Sequence, residues 1–345
     1  MALTLLMLLV QLSFAPVAAA AQPYFQGKTV KIIAGFPSGG GVDAEARLIA
    51  RYLGRYIPGN PSLFVHNMPG AGGMVAANWF ETLAKPDGLT LQYISSSSIT
   101  QQVFGVEGTK FNLKNWELLG SIVRSTSVAL ARPDKLERLT DLSKPNLAVG
   151  SRSGDDSWNT MFLWGAEYLK WNVRWILGYG GGSEMRLAFQ RGESDLYATA
   201  NLQALRELTA AGFQPFVQQG RLSSSGLFHR RPEFPNVPTF AEVLDKKRPI
   251  GAAWQSYISW AGADGAGRPL FAPPKTSRDV ARALSEAFTR LEGDKEFIAE
   301  LGRVAGDDAE ILTVKETEPI LRQLLTTSPE VQTFVNHMMK KYLQR

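Results

Sequence analysis

Cysteine is absent from this 345-residue chain, which excludes thiolate metal ligation, thiol nucleophiles and disulfide staples together. Histidine is scarce: His66, His229 and His337 stand singly, without metal-ligand spacing. His66 lies inside an apolar stretch and reads as a structural histidine. No G-x-x-x-x-G-K-[ST] run offers a nucleotide phosphate loop, and no G-x-G-x-x-G fits the glycine clusters in register. No G-x-S-x-G elbow presents a serine nucleophile. The charge balance, 37 Lys and Arg against 32 Asp and Glu, leaves +5 spread along the chain, with short runs such as Lys246-Lys247-Arg248. Nucleic-acid binders concentrate positive charge on one face, so no nucleic-acid partner is expected. A mild excess of this kind favours anionic small ligands.

What is present begins with an apolar run from Leu5 to Phe14, followed by Pro16 and four alanines, Ala18 to Ala21. The run is shorter than the roughly 20 residues of a membrane span and ends in the small residues a signal peptidase accepts. It lacks the usual preceding Lys or Arg. A cleaved signal peptide over 1–21 and an exported, periplasmic protein are expected, with no later segment apolar enough to anchor the chain. Zero cysteine is compatible with that compartment.

From residue 27 onward, short apolar strands alternate with helices of about a dozen residues. "TVKIIAGF" is a strand and the stretch from Asp43 to Tyr56 an amphipathic helix; "SLFVHNM" and "LTLQYIS" are further strands, the last closed by serines 95–98. The pattern returns in "LAVGSRSGDDSWNTMFLWGAEYL" and "VRWILGYGGGSEMRLAFQRG". Such alternation predicts parallel or mixed sheets with helices on their faces, arranged here as two α/β lobes. Residues 118–133 are read as one crossing between lobes and residues 250–259 as the crossing back; helical patterns from Ser277 onward close the chain.

In open α/β sheets ligands bind outside the carboxyl ends of the strands, where every Gly- or Ser-rich loop of this chain falls. The loop Pro37-Ser38-Gly39-Gly40-Gly41 ahead of a helix can expose successive amides at the positive end of the helix dipole. Asp43 is suited to cap that helix. The pair Asp155 and Asp156 likewise reads as a helix-start pair, with nothing that tunes it toward acid–base work. Of the eight tryptophans, Trp158 alone follows a polar loop directly and is a candidate cleft wall.

The motifs Gly40-Gly41-Val42-Asp43-Ala44-Glu45-Ala46-Arg47, Asn67-Met68-Pro69-Gly70-Ala71-Gly72-Gly73 and Pro86-Asp87-Gly88-Leu89-Thr90-Leu91 resemble, in order and spacing, the extracytoplasmic solute receptors of tripartite tricarboxylate transporters, the Bug family. "GYGGGSEMRLAFQRGESD" and "VPTFAEV" extend the similarity over essentially the whole mature chain. The resemblance implies a two-lobed type II periplasmic-binding-protein fold: a first lobe over 27–125, a second over 126–250, and a returning part with C-terminal helices over 251–345. It implies a monomeric receptor, not an enzyme, with no cofactor and no metal. Its ligand would be a small organic carboxylate, passed to a membrane permease with one small and one large subunit.

The family's contacts correspond here to Phe36, Ser38, Gly39, Gly40, Gly41 and Asp43, to Ala71, Gly72 and Gly73, to Arg152, Ser153, Asp155 and Asp156, and to Tyr179, Gly180, Gly181 and Ser183; the serine run adds Ser96 and Ser97, and the polar loop adds Trp158. The resemblance implies binding mostly through backbone amides, hydroxyls and ordered waters, at a glycine loop that needs no Lys or Arg. Two departures stand out: "SRSGDDSW" is acidic and carries Arg152 and Trp158, and Gly, Ala and Arg are inserted before "APPKT". Two other uses of such a chain are a sensing module for a receptor kinase and an exported α/β hydrolase, the latter requiring a nucleophile and base that the sequence does not display.

Overall fold

The structure, a computed structural model, describes residues 22–222 and 227–343; the signal segment expected over 1–21 lies outside the described residues. Strands β1 (Thr29–Ala34), β2 (Ser62–Asn67), β3 (Thr90–Tyr93) and β4 (Glu117–Val123) belong to a first sheet. Strands β5 (Val128–Ala131), β6 (Leu147–Gly150), β7 (Val173–Ile176), β8 (Leu196–Thr199) and β9 (Gln214–Gln218) form a second. A two-residue pair, β10 (Arg221–Leu222) with β11 (Phe228–His229), follows, and β12 (Arg268–Ala272) and β13 (Glu310–Leu312) return to the first sheet. Among the described residues the orders are β13-β4-β12-β3-β1-β2 and β7-β6-β8-β5-β9. Each sheet is mixed: β1 runs parallel to β2 and β3, while β12 runs antiparallel to β3 and β4. The two-lobed α/β architecture read from the sequence is the one observed.

Helices cover the sheets: α1 (Gly41–Leu53), α2 (Met74–Leu83), α3 (Ser96–Val103), α4 (Asn159–Tyr168), α5 (Gly182–Arg191), α6 (Leu202–Ala210), α7 (Phe240–Leu244), α8 (Ala252–Gly262), α9 (Arg278–Arg290), α10 (Lys295–Ala305), α11 (Val314–Leu324) and α12 (Pro329–Tyr342). Local chemistry starts them where expected. Ser277 and Asp294 cap α9 and α10 through their side chains, and Thr239 with Glu242 forms a capping box on α7. On α1 the buried stripe runs through Val42, Glu45, Ala46, Ile49 and Leu53, a 3.6-residue period that faces the sheet. Helix α1 and strand β1 share a core with Phe288 and Leu301.

Two features differ from the sequence reading. The return between sheets is not a strand over 250–259 but the helix α8, because Ser256, Tyr257, Trp260 and Ala261 recur at helical spacing and are all buried. Helix α12 does not stay with one lobe. Gln332 donates to the Val103 carbonyl at 2.7 Å on the first, Lys341 and Tyr342 reach Glu167 at 2.6 Å on the second, and Phe334 packs on Trp164. A single apolar cluster, including Phe80, Phe104, Trp116, Trp164 and Trp260, therefore runs behind both lobes. His66 is exposed on the edge strand β2 rather than held in the core.

Within that cluster Gly165 of α4 lies under Trp171, where a Cβ would stand 2.1 Å from the nearest ring carbon. Helix propensity alone would reward Gly165→Ala by about 1 kcal/mol. Overpacking costs about 1–3 kcal/mol and should outweigh it. The variant is expected to unfold at lower urea concentration; an unchanged or raised midpoint would contradict this packing.

Candidate functional site

Between the sheets lies a cavity of about 410 Å³, walled on one side by residues 36–42 and on the other by Arg152, Asp156–Trp158 and Gly181–Ser183. The first wall begins where β1 ends. Gly39 takes φ +82° and α1 opens at Gly41 with Gly40 as its extended N-cap, so residues 38–41 turn tightly into the helix. Asp43 is not the cap. It sits in the first turn, buried, and accepts from the Gly39 amide at 2.9 Å, from Arg47 Nε at 3.0 Å and from Asn67 Nδ2 at 2.8 Å. Burial would raise its carboxyl, but these donors outweigh burial and hold it below the usual range. Asp43 thus braces the loop from behind.

The Ala71-Gly72-Gly73 turn, expected in the cleft, is used elsewhere. The Gly72 carbonyl accepts from Ser97 Oγ at 2.8 Å and the Ala71 carbonyl from Gln101 Nε2 at 3.0 Å. A Cβ on Gly72 would stand 2.9 Å from Ser153 Oγ and 3.3 Å from Asp155 Oδ1. This turn closes the joint between lobes, and Ser97, Ser153 and Asp155 are consumed with it. Asp155 takes hydrogen bonds from Gln101 and Ser153 on its carboxylate and from Thr100 and Trp260 on its carbonyl. Neither Asp155 nor Asp156 caps α4, which starts three residues later without a side-chain cap. Tyr179 packs toward Gly150, and the Gly180 amide donates to Glu184 at 2.6 Å, so both stand outside the cavity lining.

Phe36, Ser38, Gly39, Gly40, Gly41, Ser96, Arg152, Asp156, Trp158, Gly181 and Ser183 are brought together around the cavity. The two lobes meet at its mouth. Ser183 Oγ donates to the Gly39 carbonyl at 3.2 Å, and the Arg152 guanidinium lies 4.6 Å from the Phe36 ring centroid. Arg152 also pairs with Asp156 four residues on.

Sequence reasoning missed the cavity's charge. Arg124, which follows β4, and Arg268, which opens β12, both line it, together with Ser125, Ser127, Ser157 and Asp264. Of Arg124, Arg152 and Arg268, only Arg152 was named from the sequence. Both guanidiniums rest on one oxygen of Glu45, at 3.3 and 2.8 Å, while Tyr93 OH takes the other at 2.6 Å. Glu45 has no exposure at all. Burial, then the neighbouring Arg268, push Arg124 down to about 10. Burial also brings Arg152 to about 10, with Arg268 and Arg124 acting in the same direction and Asp155 against them. A readable signal existed: a carboxylate on the apolar stripe of α1 demands buried cations. Which cations answer it depends on topology. Among the described residues no group of His, Asp and Glu is placed to hold a metal ion, and no helix is long and apolar enough to cross a membrane.

No family model matches the chain. The UPF0065 protein in gbd 5'region of Cupriavidus necator is 27% identical over 278 residues, 77% of this chain and 75% of that protein. Among solved structures, periplasmic binding protein BugD superposes with a TM-score of 0.66 at 16% identity, over 90% of this chain and 97% of BugD. MatC of Rhodopseudomonas palustris, solved with bound malate, gives 0.63 at 21% identity, over 90% and 98%. The chain has the fold of BugD and MatC.

Asp264 offers a test of the cavity's electrostatics. Burial pushes its carboxyl above the ordinary 3.8, against hydrogen bonds from Ser157, at 2.7 Å, and Ser96. A raised carboxyl contributes stability that is complete below its unfolded value and lost as pH rises through the folded one. Asparagine mimics the protonated form at every pH. Asp264→Asn should therefore melt higher than the parent at about pH 7.5, the gap closing toward about pH 3.5. A variant less stable at the higher pH would mean that Arg124 and Arg268 favour the charged form more than burial opposes it.

Proposed function

We propose that this chain is a periplasmic receptor that captures a small organic carboxylate and hands it to a tripartite tricarboxylate transporter, whose permease has one small and one large membrane subunit. The observation that carries the reading is the cavity between lobes, in which the N-termini of α1 and α5 open on one space. Helix N-termini supply free amides and a positive partial charge, so both walls favour an anion. The Ser127 hydroxyl adds a neutral donor to the lining, while those of Ser96 and Ser157 are given to Asp264 and that of Ser125 to Asp308. A volume near 410 Å³ lies in the range of small-molecule sites.

Malate bound to MatC supports a carboxylate as the class. The apolar N-terminal segment and the periplasmic neighbours support export. Partnership with a permease and action as a monomer belong to the same proposal. The cycle follows from the contacts at the mouth. Closing Gly39 onto Ser183 excludes water and strengthens each donor; reopening at the permease releases the solute.

Thermal denaturation of the mature chain, starting near Gln22, against malate, citrate, adipate, glutamate and benzoate tests this. A ligand at about a hundred times its dissociation constant stabilises by roughly 2.7 kcal/mol, seen as a raised melting temperature. At least one acid should give that rise. A response confined to sugars, nucleosides or cations would overturn the carboxylate reading.

A further inference from the structure

We infer that Arg124 and Arg268, held on Glu45, form a guanidinium subsite for an oxyanion beside the start of α1, and that this pair makes the cavity select its ligand by charge, accepting sulfonate as well as carboxylate head groups. The inference deepens the receptor reading and rests on the inter-lobe cavity being the binding site.

The first support is unmet hydrogen-bonding capacity. Each guanidinium carries five N–H donors. Among the described residues each has one hydrogen bond, through Nη1 to the same Glu45 oxygen. The side chains keep 17% and 13% exposure, and both line the cavity. A forked, planar donor set matches a carboxylate or sulfonate in two-pronged fashion.

The second support is charge. Two guanidiniums share the Glu45 carboxylate, so neither has a carboxylate to itself, and the second charge of the pair is met only at longer range, by the Asp264 carboxylate. Arg152 and Arg186, the other arginines of the cavity, are already paired with Asp156 and Glu207. The Asp264 carboxyl is occupied by the hydroxyls of Ser157 and Ser96. The third support is position. A Cβ at Gly41 would stand 3.4 Å from Arg268 Nη1 and 3.6 Å from Arg124 Nη1. The guanidiniums therefore crowd the first turn of α1, so an anion at that place lies beside both the guanidiniums and the helix N-terminus.

The two donor sets predict different selectivity. Amides and helix N-termini, with partial charges, favour a carboxylate over a neutral carbonyl less than a guanidinium pair does. Arg124 directly follows β4 and Arg268 opens the neighbouring β12, whose register pairs Arg268 with Ile122, so the two sit side by side at one end of these strands.

Titration calorimetry on the mature full-length chain tests this with adipate, adipamide and 1,4-butanedisulfonate, run in parallel with malate and malamide. The parent protein should bind each acid at least about a hundredfold more tightly than its diamide, and should bind the disulfonate. Arg124→Gln and Arg268→Gln should each weaken the acids by at least about tenfold while leaving diamide affinity in place, narrowing the ratio. Arg268→Lys, which keeps the charge but not the fork, should recover part of it. Melting temperatures report whether the glutamine variants fold; if neither does, the parent's acid-to-amide ratio and its binding of the disulfonate decide. Acids that bind the parent but lose nothing in folded glutamine variants overturn the arginine subsite and leave the carboxylate receptor standing. Arginine-dependent binding of the disulfonate with no binding of any acid keeps the subsite and removes the carboxylate assignment. Equal affinity for acid and diamide in the parent overturns the subsite outright.

Discussion

A carboxylate with no exposure to solvent, Glu45, sits on the core-facing stripe of the helix that carries the anion loop. An isolated buried charge costs several kcal/mol, so the fold must bring cations to it. It does so from the end of β4 and the start of β12, through Arg124 and Arg268, and completes the carboxylate with Tyr93 OH. Removing one partner of such a cluster typically costs about 3–5 kcal/mol, because the others are left uncompensated. The helix that presents the loop, the strands that close the first sheet and the floor of the cavity are thereby fixed to one another. Two cations share one Glu45 oxygen, and each keeps further N–H donors beyond it.

Around this anchor the lobes are joined at two levels. At the back the joint is tight: Asp155 gathers donors from Gln101, Thr100 and Trp260, the glycine turn at 71–73 leaves room for that approach, and α12 grips both sides. At the mouth a serine hydroxyl donates to a glycine carbonyl, and deeper in the cavity a guanidinium lies on a buried phenyl ring. Each such contact is worth on the order of 1 kcal/mol. A structure that is cohesive behind and weakly latched in front is suited to opening about its rear joint.

Much of this was legible in the sequence, because the alternation of strand and helix is a local property. The loop at 37–41 and the α5 start at 181–183 were readable for the same reason: glycines after a strand and before a helix leave amides free. The turn at 71–73 looks the same in sequence yet serves the joint between lobes. A glycine marks close approach without saying what approaches, and here it is Ser153 and Asp155. Arg124 and Arg268 were not legible as a pair, since only the antiparallel register of β12 on β4 sets them side by side. Their partner was readable, because an acidic residue at the apolar spacing of α1 has to be neutralised. The helical return through α8 could also have been found, from the burial period of Ser256, Tyr257 and Trp260 rather than from an assumed crossing strand.

The central claim is that the two lobes close on an anion held between them. With no native cysteine, cysteines placed at exposed Lys85 of the first lobe and exposed Gln190 of the second can be labelled uniquely with nitroxides. The distance distribution between the labels, measured by double electron–electron resonance with and without an acid that raises the melting temperature, reports closure directly. The account predicts a broader, longer distribution in the free protein and a shorter, narrower one with the acid bound. An identical distribution in both states would contradict it, leaving a rigid cavity in place of a closing receptor.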